Sequence, residues 1–199
     1  ATYPNQPGNL TVTDVYVVPG QDPDTASAIV RARISGQLVN RTARDAAVFD
    51  FAGEPLRSGR QLDISTLEYV VNGTVTSVTS SGRSLDVTET AVVLDTTVPA
   101  ATADTLTPGD TMRVAGTTVA TVEAVQQYPR PDSNRRQVRV GMTLQTRQQG
   151  GETRFGPTRV AVGNTLGIRT SESNVTGTIA ANGTARLPTN GNPAGLEAT

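Results

Sequence analysis

Gly59-Arg-Gln-Leu-Asp-Ile-Ser-Thr-Leu-Glu-Tyr-Val-Val-Asn-Gly-Thr-Val75 aligns without a gap on Gly163-Asn-Thr-Leu-Gly-Ile-Arg-Thr-Ser-Glu-Ser-Asn-Val-Thr-Gly-Thr-Ile179. The shared positions are Gly59/Gly163, Leu62/Leu166, Ile64/Ile168, Thr66/Thr170, Glu68/Glu172, Val71/Val175, Gly73/Gly177 and Thr74/Thr178, and Phe51/Phe155 falls on the same offset. Each stretch reads as a G-x-x-L-x-I strand hairpinned to a V-x-G-T-V strand. Apolar residues alternate with polar ones, the period of a chain whose successive side chains point to opposite faces. Gly59 and Gly163 open their strands where a positive φ is expected. Gly73 and Gly177 are expected to mark bulges or barrel corners.

The likeness extends upstream with a small change of register. Val12-Thr-Asp-Val15, running on to Pro19, matches Val122-Glu-Ala-Val125, running on to Pro129. An Asp-containing turn follows each (Asp22 to Asp24; Asp132 to Asn134), and each turn leads into an alternating strand, Ile29 to Ile34 and Val138 to Leu144. A third, shortened copy of the hairpin runs from Leu106 to Val114 and from Thr117 to Val125, with Gly109-Asp110 in the place of Gly59-Arg60 and Gly163-Asn164. Pro99 to Leu106 reads as a single helical turn, with Pro99 preset for its first position. The expected fold is all-β, a tandem duplication of a small β-barrel or sandwich unit. Its parts are an N-terminal extension (1–9), a first repeat (10–98), a linker with the helical turn and partial-repeat hairpin (99–116), a second repeat (117–182) and a C-terminal tail (183–199).

Composition agrees with strands and narrows function. The 199 residues hold 31 Thr and 24 Val against 3 Phe, 4 Tyr and no Trp; Thr and Val are stiff at χ1 and fit a pleated surface. Without Cys there is neither a disulfide framework nor a thiolate, and without His the commonest general base and transition-metal ligand are missing. All 17 basic residues are Arg, and the net charge is −1. Arg135–Arg136 is the one basic cluster, so no nucleic-acid footprint is expected. No stretch of 18 apolar residues occurs, so this segment is not expected to insert into a membrane. Paired carboxylates are the one enzymatic route left. The candidates Asp63, Glu68, Glu89, Asp95, Asp104 and Asp110 sit mostly where an alternating strand faces solvent, and a hairpin ion pair accounts for Glu68 and Glu172. Calcium at Asp22 and Asp24, or at Asp104 and Asp110, lacks the spacing of a calcium loop. The expectation is a non-enzyme with no catalytic residue, metal or cofactor.

Asn9-Leu-Thr, Asn40-Arg-Thr, Asn72-Gly-Thr, Asn174-Val-Thr and Asn182-Gly-Thr fit the N-glycosylation acceptor pattern, which would put five surface loops on an exported glycoprotein. The alternative reading of Asn72 and Asn182 is turn chemistry, since both stand in Asn-Gly pairs. The chain begins at Ala1 without Met or a basic leader, and removal of a signal peptide or anchor segment is expected. Val12-Thr-Asp-Val-Tyr-Val-Val-Pro19, Phe51-Ala-Gly-Glu-Pro-Leu-Arg-Ser-Gly-Arg-Gln-Leu62 and Pro108-Gly-Asp-Thr-Met-Arg-Val-Ala-Gly-Thr-Thr-Val-Ala-Thr-Val122 together resemble an uncharacterised domain-of-unknown-function family. That family is best represented in halophilic archaea, with bacterial relatives, and the resemblance spans residues 9 to 182. It implies an archaeal cell-surface ectodomain carried by an N-terminal anchor, and it implies no catalytic residues.

Two functional expectations follow. The first is a structural subunit of an extracellular homopolymer, a filament or coat. The second is a membrane-proximal β ectodomain serving as a binding or adhesion module, with surface glycans among its partners. The tails, Ala1 to Gly8 and Gly183 to Thr199, are rich in Gly and Pro and need something to pack against. Strand addition to a neighbour's sheet edge by extended termini with spaced apolar residues such as Leu10, Val12 and Val15 is the expected route of assembly.

Overall fold

A computed structural model describes residues 10–20, 25–39, 48–65, 70–82, 84–130 and 133–187, though not the side chains of Ser65 and Val71. The protein is all-β: its described residues form fifteen strands and one five-residue helix. They fall into two compact units, residues 1–16 with 29–85 and residues 17–28 with 86–199.

The first unit is built from small sheets. β1 (Leu10–Pro19) and β2 (Ala26–Ile34) form a two-stranded ribbon whose closed end belongs to the second unit. β3 (Gln37–Val39), β4 (Val48–Phe51) and β5 (Glu54–Pro55) make a three-stranded sheet, and β6 (Gln61–Ser65) with β7 (Val70–Thr74) a two-stranded one. Ala52 and Gly53, both at positive φ, turn the chain between β4 and β5, which places Phe51 opposite Glu54.

The second unit is one eight-stranded sheet curled into a half-barrel. Its strands are β8 (Val87–Pro99), β9 (Thr111–Val114), β10 (Thr117–Pro129), β11 (Arg135–Gln149), β12 (Glu152–Phe155), β13 (Thr158–Arg159), β14 (Thr165–Arg169) and β15 (Asn174–Asn182). β8 pairs antiparallel with β11 along its whole length, Val87 opposite Arg147 through Pro99 opposite Arg135. β15 lies on the other edge of β8, with β14 beyond it; β10 and β12 share the other edge of β11. One face carries the core: Val92, Leu94 and Val98 on β8, Val138, Val140, Met142 and Leu144 on β11, Leu166 and Ile168 on β14, Val175 and Ile179 on β15. Each such side chain taken from water contributes about 1.5–3 kcal/mol. At the end of this stripe Thr146, fully buried, bonds the Thr90 hydroxyl at 2.6 Å and donates to the Thr88 carbonyl at 3.1 Å.

The helix, α1 (Ala100–Asp104), stands where the sequence places it, and Pro99 is its N-cap rather than its first helical residue. Ala103 and, just beyond the helix, Leu106 are buried.

Three hairpins share one backbone hydrogen-bond pattern. Gly59 donates its N–H to the Val75 carbonyl and Val75 donates to the Arg60 carbonyl, each at 2.8 Å. Gly163, Ile179 and Asn164 repeat both bonds, as do Gly109, Val122 and Asp110, again at 2.8 Å. The three glycines have φ of +88, +90 and +96°. Two residues therefore oppose one, a bulge whose glycine also belongs to the tight turn before the strand. β6–β7 and β14–β15 pair in the same register, Leu62 opposite Gly73 and Leu166 opposite Gly177. The Leu56 to Phe49 and Val160 to Thr153 backbone bonds repeat upstream, both at 2.8 Å. Two matching closed β units are not displayed: the sheets of the first unit have two or three strands and that of the second has eight.

The bulges sit at Gly59, Gly109 and Gly163 and at the Thr118/Ala120, Val122/Ala124 and Ile179/Ala181 register shifts, and not at Gly73 or Gly177. Gly177 is instead a close approach, since a Cβ there would stand 3.1 Å from the Asp95 carbonyl. The second compact unit takes residues 17–28 as well as everything from Asp86 onward, and β8 joins it by pairing with β11 and β15. Leu10 is buried and β1 pairs with β2, so residues from Leu10 onward are not a free docking arm.

Candidate functional site

The outward face of the second unit's sheet is polar and ordered in rows. Gln126, Arg139, Asp95, Thr178 and Thr165 stand opposite one another across β10, β11, β8, β15 and β14. Tyr128, Gln137 and Thr97 form the adjacent row. Arg139 grips Asp95 with two bonds, at 2.8 and 3.2 Å. That hydrogen bond and the Asp95 charge, with a lesser effect of Tyr128, raise the Arg139 guanidinium above the already high arginine range. Beside the pair a shallow depression of about 400 Å³ is lined by Thr97, Gln137, Thr165, Thr176, Gly177 and Thr178. It is open to solvent, and its lining is mostly hydroxyls with one amide.

A second feature crosses the same sheet. Gly183 donates to the Ala91 carbonyl at 2.8 Å, and the chain then passes over Gly141 so closely that a Cβ there would overlap the Ala185 carbonyl. The groove beside this strap, about 540 Å³, is lined by Ala91, Ala124, Thr143 and Arg186. Only a residue without a side chain admits the strap at residue 141.

The acidic residues singled out in the sequence are committed to local partners. Asp63 accepts from the Asn72 amide, Glu89 from Gln145, and Asp104 forms an ion pair with Arg136. Asp110 closes its own turn on the Thr107 N–H and hydroxyl, at 2.9 and 3.0 Å. Arg135 donates to the Thr97 carbonyl, so the basic pair is spent on the sheet and on α1. Glu172 is exposed beside the Thr170–Ser173 turn, while Glu68, Asp22, Asp24 and Asp132 lie outside the described residues. No three acidic side chains gather as a metal cage among the described residues.

Of the sequons, Asn9 and Asn40 lie outside the described residues, and Asn72, Asn174 and Asn182 are exposed. The Asn72 amide is engaged by Asp63 and the Asn182 amide by the Val160 carbonyl at 3.2 Å. Asn174, at the start of β15, presents its side chain to solvent in an extended segment.

Exposed apolar residues are distributed unevenly. Val12, Val15, Val30, Leu38, Val70 and Val78 in the first unit are exposed, Leu38 at 73% and Val70 at 72%, against Val87 and Val162 in the second. The buried apolar side chains of the first unit, among the described residues, are Leu10, Tyr16 and Phe51. Sequence periodicity marked the hairpins, but it could not tell which of them would find a sheet to join. No helix among the described residues is long and apolar enough to cross a membrane. Comparison with protein-family models, with curated proteins and with solved structures returns no match.

Proposed function

We propose that this chain is a non-enzymatic structural subunit of an extracellular homopolymeric assembly, a filament or coat. The observation that carries the reading is the first unit, which keeps six large apolar side chains in solvent and is built from two- and three-stranded sheets. Isolated two-stranded pairs are marginal in water and gain stability when further strands cover them. An assembly supplies those strands without disulfides or metals. Placement outside the cell rests on the five sequons and on the resemblance to surface-anchored proteins of halophilic archaea.

Sedimentation of the full chain over a wide concentration range tests the reading. Reversible growth beyond the monomer is expected, and a chain that stays monomeric at the highest concentration refutes it. Removal of residues 1–9 is expected to weaken assembly while leaving the β signal in far-UV circular dichroism. The second reading, a binding module at the membrane surface, draws on the threonine-lined depression beside Asp95. A monomeric chain that binds a surface polysaccharide, and loses it in Gln137→Ala with Thr178→Val, favours that reading instead.

A further inference from the structure

The two copies of the hairpin differ in one respect, and the difference identifies an interface. In the second unit β14–β15 is not alone: β15 continues to Asn182 and its outer edge is taken by β8, Thr178 opposite Asp95 and Ile179 opposite Leu94. With that edge occupied, Leu166, Ile168, Val175 and Ile179 are all buried. In the first unit β7 has the same backbone, the same glycine bulge and the same register to β6, but among the described residues no strand lies on its outer edge. Strand structure stops at Thr74, and Thr76 to Ser80, the counterpart of the last turns of β15, run on unpaired and exposed. Leu62, Ile64 and Val75, the counterparts of Leu166, Ile168 and Ile179, remain only half-buried.

The edge is open by hydrogen-bonding geometry as well. Val75 turns its N–H and C=O toward Arg60 and Gly59. Backbone direction alternates along an antiparallel strand, so Val70, Asn72 and Thr74 present theirs to the other side. It is also unguarded. Natural edge strands are blunted by charge, by Pro or by shortness; β14 carries Arg169, β9 carries Arg113 and β2 carries Arg31 and Arg33, whereas residues 70–82 contain no charge and no Pro.

We propose that the outer edge of β7, from Val70 to Val78, is where a second copy of this chain adds to the sheet, antiparallel and edge to edge, in the position that β8 holds against β15. The inference rests on the assembly reading above and names one of its contacts, because a two-fold pairing closes a dimer and growth beyond it uses a second surface. Pairing like with like about a two-fold axis satisfies both open edges at once and brings no charges together, because neither edge has any. It carries the strand past Thr74 to Val78 and fills the edge that β8 fills in the second unit.

The chain has no Cys, so single-cysteine variants report cleanly. Val70→Cys, Asn72→Cys, Thr74→Cys and Thr76→Cys are made one at a time in the full chain and oxidised under dilute conditions. A residue at the two-fold faces its own copy within disulfide reach, so a covalent dimer is expected for the variant nearest the axis and at least tenfold less for Arg113→Cys on β9. Thr74→Pro removes an N–H that faces away from β6, and sedimentation is expected to show the dimer lost with the circular dichroism spectrum kept. Self-association that survives Thr74→Pro, with no covalent dimer at any of the four positions, overturns this edge and leaves the assembly reading standing. A chain monomeric throughout overturns both.

Discussion

A buried hydroxyl is stable only while its partners stay in place, and Thr146 is such a case: fully buried, held by Thr90 and by the Thr88 carbonyl. Thr146→Val keeps the volume but leaves the Thr90 hydroxyl without this partner, which costs about 1–2 kcal/mol. Urea unfolding checks it, and an unchanged midpoint would show that the cluster contributes nothing net. Gly141 answers to a different constraint. A side chain there displaces the strap at Ala185, so Gly141→Val should release the chain after Asn182 at a cost of about 1–3 kcal/mol. Trypsin reads the release directly, because cleavage after Arg186 should quicken while the sheet resists; equal cleavage in both proteins would mean the strap is not held by the sheet. The Arg139–Asp95 pair is half-exposed on the outer face and adds at most about 1 kcal/mol. A cation whose folded pKa is raised stabilises fully below its unfolded value and loses that contribution only as pH climbs through the folded one. For arginine both lie above the neutral and mildly alkaline range, so Arg139 brings no pH step there.

At the scale of the element, one short device is used three times: a turn, a glycine at positive φ, and two residues set against one on the returning strand. Nothing lies within 4 Å of a Cβ built on Gly59, Gly109 or Gly163, so their requirement is purely conformational. Gly163→Ala should therefore cost about 1 kcal/mol through backbone strain alone, measurable as a lowered urea midpoint, and a neutral result would mean the bulge relaxes at no cost. This device was legible in the sequence because glycine, turn residue and alternating apolar positions all lie within one hairpin. Long-range pairing was not. β8 is Val-Val-Leu flanked by threonines, which suits any strand, and only the tertiary ladder with β11 decides that it joins the second unit. Gly177 looked like a bulge for the same reason: its crowding comes from Asp95 and Leu94 on β8, remote in sequence. The depression by Asp95 and the open edge of β7 depend on which strands meet, and periodicity is blind to that.

For the molecule as a whole, the two compact units differ in how completely they bury themselves, and their stabilities should differ accordingly. The second unit sets a long β8–β11 ladder over a continuous apolar stripe. The first rests on short pairs, with Leu10, Tyr16 and Phe51 buried and Leu38, Val70 and Val78 in water. Calorimetry of the full chain is therefore expected to show two transitions, the lower from the first unit. If a second copy completes that unit, binding stabilises the folded form by mass action. The lower transition then moves upward with protein concentration, by several degrees over a hundredfold range, while the upper one stays fixed. Hydrogen exchange assigns them: amides of β8 and β11 should remain protected after those of β6 and β7 have exchanged, and protection in β7 alone should rise with concentration. Thr74→Pro should abolish the concentration dependence without touching the upper transition. A single transition, or a lower one indifferent to concentration, would mean that the first unit is as complete alone as the second, and self-association would lose its physical motive.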